Sequence, residues 1–144
     1  MNTEEQEKKG VALLGSTGSI GTQALDVIEA YPDYFDLQVI TANSNADLLI
    51  EQAKKYKPNT VVIVNEAHFE KVKDALWEDD IHVYAGKEAL CQVVETKAVD
   101  VVLTALVGYA GLKPTIKAIE AKKNIALANK ETLVVAGELV TKLA

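Results

Sequence analysis

Short β-branched runs alternate along this chain with stretches of helical period, and that alternation restricts the fold more than any other feature. Units of this kind wind a parallel sheet with helices packed on its faces. The runs are residues 11–14, 37–41, 60–64, 99–103 and 124–127. Between them, Ile20, Ala24, Val27 and Ile28 share a helical stripe, and Leu49, Ala53 and Tyr56 share a second that stops at Lys57-Pro58. A third carries Phe69, Val72 and Leu76 and ends in the turn-like Glu78-Asp79-Asp80; His82-Val83-Tyr84 reads as a short additional strand, and Leu90, Val93 and Val94 lie on one more helix. Right-handed crossovers leave few ways to connect such elements. The most economical is α/β: a Rossmann-like, doubly wound, mostly parallel sheet with helices on both faces.

A chain of 144 residues suits one domain, burying about 68–70% of its extended-chain surface. With 49% hydrophobic and 25% charged residues, it lies outside the range of disordered chains. All 15 basic residues are Lys, against 21 acidic ones. Scattered lysines and a net charge of −6 exclude a surface that tracks nucleic acid. No apolar run approaches the ~18 residues of a membrane span. Residues 1–9 are polar and acidic, unlike a secretory signal or an Arg-rich transit peptide, and are expected to be a flexible leader to a dinucleotide-binding domain over 10–144 in a cytoplasmic protein. Cys91 is the single cysteine; inside an apolar helical segment it reads as core packing.

Ligands of open α/β sheets bind outside the carboxyl ends of the strands. Polar residues collect there in four loops: Gly15-Ser-Thr-Gly-Ser-Ile-Gly21, Ala42-Asn43-Ser44-Asn45, Thr104-Ala105-Leu106-Val107-Gly108 and Ala128-Asn129-Lys130-Glu131. In the first, Gly15 permits a tight turn, Gly18 lets backbone approach a pyrophosphate, and Gly21 lets the helix pack closely; Ser16, Thr17 and Ser19 add hydroxyl donors. The spacing is G-x-x-G-x-x-G, not the G-x-G-x-x-G of the usual fingerprint. Turn glycines and a helix cap would explain the same residues, but strand, loop and helix in succession favour a nucleotide.

After the second run, the first acid is Asp47, so no carboxylate stands where an NAD-selective site places one. A 2′-phosphate is therefore admissible, with Ser44 and Asn45 as donors. Asn45 serves equally as a helix N-cap.

Three other patterns carry less. Tyr109 and Lys113 have Y-x-x-x-K spacing, but Gly111 and Pro114 oppose a helix through them. His68 and His82 have no partners at metal-ligand spacing. In the last loop, Asn129 and Glu131 suit a helix start, while Lys130 has no structural role there and points to function.

Taken together, Gly15–Gly21, Val107-Gly108-Tyr-Ala-Gly111-Leu112 and Leu127-Ala-Asn-Lys-Glu-Thr-Leu133 resemble the N-terminal part of the 1-deoxy-D-xylulose-5-phosphate reductoisomerase family. The resemblance implies an NADPH-dependent oxidoreductase of non-mevalonate isoprenoid biosynthesis. Its members rearrange deoxyxylulose 5-phosphate, a small phosphorylated sugar, and reduce the product to 2-C-methyl-D-erythritol 4-phosphate; they are homodimers and use Mg²⁺ or Mn²⁺. It implies that Thr17, Gly18, Ser19 and Ile20, with Gly15 and Gly21, line the pyrophosphate. Asn43, Ser44 and Asn45 would hold the adenosine ribose and its 2′-phosphate, Asn129 and Glu131 would contact cofactor, and Lys130 substrate. Some members carry Gly-Lys in place of Asn43-Ser44.

The metal ligands and catalytic loop of that family follow the last motif, whereas this chain ends at Ala144 within a helical pattern. The expectation is a cofactor-binding domain with no catalytic residue and no metal ligand of its own, inactive alone. Two alternatives are the cofactor half of another NADP-dependent dehydrogenase and a non-catalytic nucleotide-sensing module.

Overall fold

A computed structural model describes residues 8–105, 121 and 123–127. Six strands, β1 (Lys9–Leu14), β2 (Phe35–Ala42), β3 (Thr60–Ile63), β4 (His82–Ala85), β5 (Val101–Thr104) and β6 (Asn124–Leu127), form one sheet in the order β4-β3-β2-β1-β5-β6. Every pairing is parallel. The helices are α1 (Ser19–Ala30), α2 (Ala46–Tyr56), α3 (Phe69–Ala75) and α4 (Lys87–Val93). β1 starts at Lys9, whose N–H donates to the Tyr34 carbonyl, so the folded domain begins one residue before the expected start at 10; residues 1–7 lie outside the described residues.

Side chains of a strand alternate between faces. Leu13, Ile40, Val61 and Ile63 therefore pack with Ala24 and Leu25 of α1, Leu49 and Ala53 of α2, and Val72 of α3. Their neighbours Ala12, Leu14, Val39, Val62 and Val102 bury on the other face with Leu90 and Val93 of α4. The chain thus steps from β1 outward to β4 with three helices on one face. It then crosses the opposite face through α4 and adds β5 on the far side of β1.

β1 and β3 are buried on both faces because they are apolar on both sides, as parallel strands are, whereas the edge strand β4 exposes His82 and Tyr84. Each fully buried Leu or Val contributes roughly 1.5–3 kcal/mol relative to exposure.

β1 and β2 start two residues earlier than expected, at Lys9 and Phe35, β2 ends at Ala42 and β3 at Ile63, and two further boundaries differ for local reasons. Val99 buries completely but belongs to a turn, its N–H bonded to the Thr96 carbonyl, and β5 starts at Val101. The expected turn at 78–80 is a 3₁₀ turn, Trp77–Asp79, closed by Asp80 at φ 58°. Among the described residues no helix is long and apolar enough to cross a membrane.

Candidate functional site

The strand order reverses at β1, which makes the carboxyl ends of β1 and β5 the topological switch point, where open α/β sheets hold their ligands in a crevice. The glycine loop leaves β1 at this point, and β5 runs beside it with the Ala105 N–H bonded to the Leu14 carbonyl. Gly15 has φ 85°, a left-handed conformation that a side chain would strain. A Cβ on Gly21 would strike the Gly15 carbonyl oxygen and lie 2.8 Å from Ser16 Cα, so α1 packs against the loop's own backbone rather than against the strand. Gly18 faces open space.

Both long helices present their N-termini to this edge, and the two ends differ in how they are capped. α2 is closed: the Asn45 side chain accepts from the Leu48 N–H at 3.3 Å, and Asp47 stands in the first turn. α1 is open. Its N-cap, Gly18, is extended and offers no side-chain cap, and the first turn carries no acid. The Thr22 N–H takes the Gly18 carbonyl at 2.9 Å, leaving the N–H groups of Ser19 to Gly21 without a helical acceptor. Such an end carries about half a positive charge and favours an anion.

Thr17 and Ile20 are half-buried, and Gly18 and Ser19 are exposed at this end. Ile20 packs against the core and so anchors the helix start. Ser16 does not serve as an outward donor. It is wholly buried, its hydroxyl 2.7 Å from Gln52 Oε1 and 3.3 Å from the Thr41 carbonyl oxygen. Burial of the loop's second residue is the cost of holding the Gly15 turn against β2.

Asn43, Ser44 and Asn45 are exposed together after β2. Asn45 is the N-cap of α2; its amide nitrogen is left for other partners. Asp47 is neutralised by Lys71 of α3, whose Nζ lies 2.6 Å from Asp47 Oδ1. The hydrogen bond and charge of Lys71, with a smaller effect of His68, hold the Asp47 carboxyl below the ordinary aspartate range. An open groove of about 640 Å³ continues along the same edge from Asn43 past Asn65 and Glu66 to Gly86 and Lys87.

Tyr109, Lys113, Asn129, Lys130 and Glu131 lie outside the described residues, as do the second and third family motifs apart from Leu127. Among the described residues no group of three His, Cys, Asp or Glu converges to hold a metal ion. His82 is exposed at the start of β4, and Cys91 is buried on α4.

Sequence reading missed Gln52 and Thr41, the two residues that hold the loop. A signal existed for the first: Gln52 falls on the apolar stripe of Leu49 and Ala53, where a polar residue must find a buried partner.

A parallel sheet that reverses its strand order beside a glycine loop, with an uncapped helix start facing the crevice, is a Rossmann-like dinucleotide-fold domain. The family model described as 1-deoxy-D-xylulose 5-phosphate reductoisomerase matches residues 11–137, and the chain belongs to that family.

A relative of that name from Bacteroides thetaiotaomicron is 61% identical over 145 residues, covering 100% of this chain and 37% of the relative. One from Chloroherpeton thalassium is 46% identical, covering 94% and 35%. The solved reductoisomerase from Zymomonas mobilis in complex with NADPH is 39% identical, with a TM-score of 0.79, over 92% of this chain and 35% of that one. A DOX-P reductoisomerase in complex with NADPH, fosmidomycin and magnesium is 35% identical, with a TM-score of 0.79, over 93% and 33%. The chain spans about a third of the length of these relatives.

Proposed function

We propose that this chain is the NADPH-binding domain of a cytoplasmic, homodimeric reductoisomerase that converts 1-deoxy-D-xylulose 5-phosphate to 2-C-methyl-D-erythritol 4-phosphate. The observation that carries the reading is the open N-terminus of α1 at the switch point, in a chain of this family. Thr17, Gly18, Ser19 and Ile20 receive the pyrophosphate, with Gly15 and Gly21 shaping the turn. Asn43, Ser44 and Asn45 receive the adenosine ribose and its 2′-phosphate, which Asp47 does not repel because Lys71 pairs with it. Asn129 and Glu131 complete the cofactor site, and Lys130 contacts substrate.

The cofactor, when bound, supplies hydride. The residues of this chain bind and orient it: the α1 amides offset the pyrophosphate charge, and the wall between β1 and β5 excludes water from one side. Magnesium accompanies solved DOX-P reductoisomerase structures 35% identical to this chain. Among the described residues no group of three His, Cys, Asp or Glu would hold it.

Calorimetric titration with NADPH and NADH tests the reading. NADPH is expected to bind more tightly by about 1–2 kcal/mol, the scale of a charge-assisted hydrogen bond. Equal affinities would remove the NADP assignment, and no binding of either would remove the cofactor site.

A further inference from the structure

Gln52 lies on the core-facing stripe of α2 and is 6% exposed. Burying an amide there costs free energy that an apolar side chain of similar size would not incur, unless the amide is fully bonded. It is bonded to a single residue. Gln52 Oε1 accepts the Ser16 hydroxyl at 2.7 Å, and Nε2 donates to the Ser16 carbonyl at 2.8 Å. The carbonyl can only accept, so the amide has one orientation.

On the other side, Thr41 holds the same two loop residues. Its hydroxyl oxygen accepts the Gly15 N–H at 3.0 Å, and its carbonyl accepts the Ser16 N–H at 2.8 Å. The loop is therefore clamped between β2 and α2 at its first two residues, immediately before the exposed turn at Gly18 and Ser19. The same two elements flank Asn43–Asn45: Thr41 precedes it on β2, and α2 starts with it.

We propose that Gln52 is a positioning residue for the dinucleotide. It fixes the Gly15-Ser16 backbone, aims the amides that follow at the pyrophosphate, and holds that loop in register with the ribose-side loop. The proposal rests on the cofactor reading above. Because the pyrophosphate is common to both nucleotides, losing Gln52 weakens NADPH and NADH alike, unlike a change on the ribose side.

The test compares the protein with Gln52→Met, which keeps the volume and removes both hydrogen bonds, and with Ser16→Ala, which keeps the bond from Nε2 to the Ser16 carbonyl. Two quantities are measured: amide hydrogen exchange without ligand, and titration with each nucleotide. In Gln52→Met, the Gly15 and Ser16 amides are expected to exchange about tenfold faster while β3 is unchanged, and both dissociation constants to rise about tenfold, the scale of one lost buried hydrogen bond. Ser16→Ala should show the same pattern at smaller amplitude.

Unchanged exchange overturns the proposal, as does faster exchange with unchanged dissociation constants. A weakening confined to NADPH also overturns it. Should Gln52→Met fail to fold, Ser16→Ala decides by the same criteria. A wild-type protein that binds neither nucleotide overturns the cofactor reading and this role with it; the exchange data, which need no ligand, separate that failure from a loop that Gln52 does not hold.

Discussion

Lys71 Nζ stands 2.6 Å from Asp47 Oδ1, so a cation from α3 neutralises the carboxylate in the first turn of α2. Removing it by Lys71→Ala leaves an unpaired negative charge two residues beyond Asn45. NADPH affinity should fall by about threefold and NADH affinity should not change, an effect of exposed charges that weakens as salt rises. Titration at low and high ionic strength checks this; a salt-independent loss, or an equal loss for NADH, would count against it.

The same pair sets a pH dependence. Lys71 lowers the Asp47 carboxyl in the folded protein. A depressed folded value stabilises the protein above the unfolded value, and that contribution disappears as pH falls through the folded one. Asp47→Asn should lower Tm slightly near neutral pH and make no difference in strong acid. Thermal melts across that range read it directly, and a difference that persists in acid would assign the effect to the Asn side chain.

Ser44→Asp puts a carboxylate where the 2′-phosphate is proposed to lie. NADPH should weaken by about 10- to 30-fold on the scale of charge repulsion plus a lost charge-assisted hydrogen bond. NADH should bind as well or better. A ratio of affinities that does not move would displace the phosphate from this loop.

Two glycines of the loop should respond in opposite ways. In Gly21→Ala, the new Cβ meets the Gly15 carbonyl and the Ser16 backbone, neither of which can turn aside. A loss of about 1–3 kcal/mol in stability is expected, as for an overpacked core. Gly18→Ala has φ −76° and open space around the new methyl. Its Tm should stay within about 2 °C of wild type, while nucleotide affinity drops because the methyl occupies the approach to the α1 amides. Denaturant melts and titrations on both variants check the division.

The chain by itself should oxidise no NADPH with deoxyxylulose phosphate and Mg²⁺ or Mn²⁺. Rearranging a hydroxyketone needs an electrophile on its oxygens, and no metal-binding cluster occurs among the described residues. Absorbance at 340 nm reports turnover. Activity in this chain would sink the division of labour proposed here.

The parallel sheet was legible because each run of residues carries its own period, and even the four-residue β4 was visible from His82-Val83-Tyr84. The placing of the glycine loop and of Asn43, Ser44 and Asn45 on one edge of the sheet followed from the strand direction alone. What escaped was long-range and polar. Ser16 and Gln52 stand 36 positions apart, and a serine in a glycine loop has the same local signature whether its hydroxyl faces a ligand or a buried amide. Val99 misled for a related reason: apolar burial does not require strand geometry, and its turn satisfies the backbone without a ladder.

The reversal of strand order also dictates a timetable. β1 to β4 neighbour one another in sequence as in space, but the partner on the other side of β1 is β5, and the Gly10 N–H reaches Asp100 Oδ2 across 90 positions. At synthesis rates of about 5–20 residues per second, β5 leaves the ribosome roughly 5–20 s after β1. Non-local closure of this kind is also the slow step in refolding. β1 therefore pairs with β5 only after β2 to β4 are available, and a nucleotide that fills the crevice reports that β5 has docked.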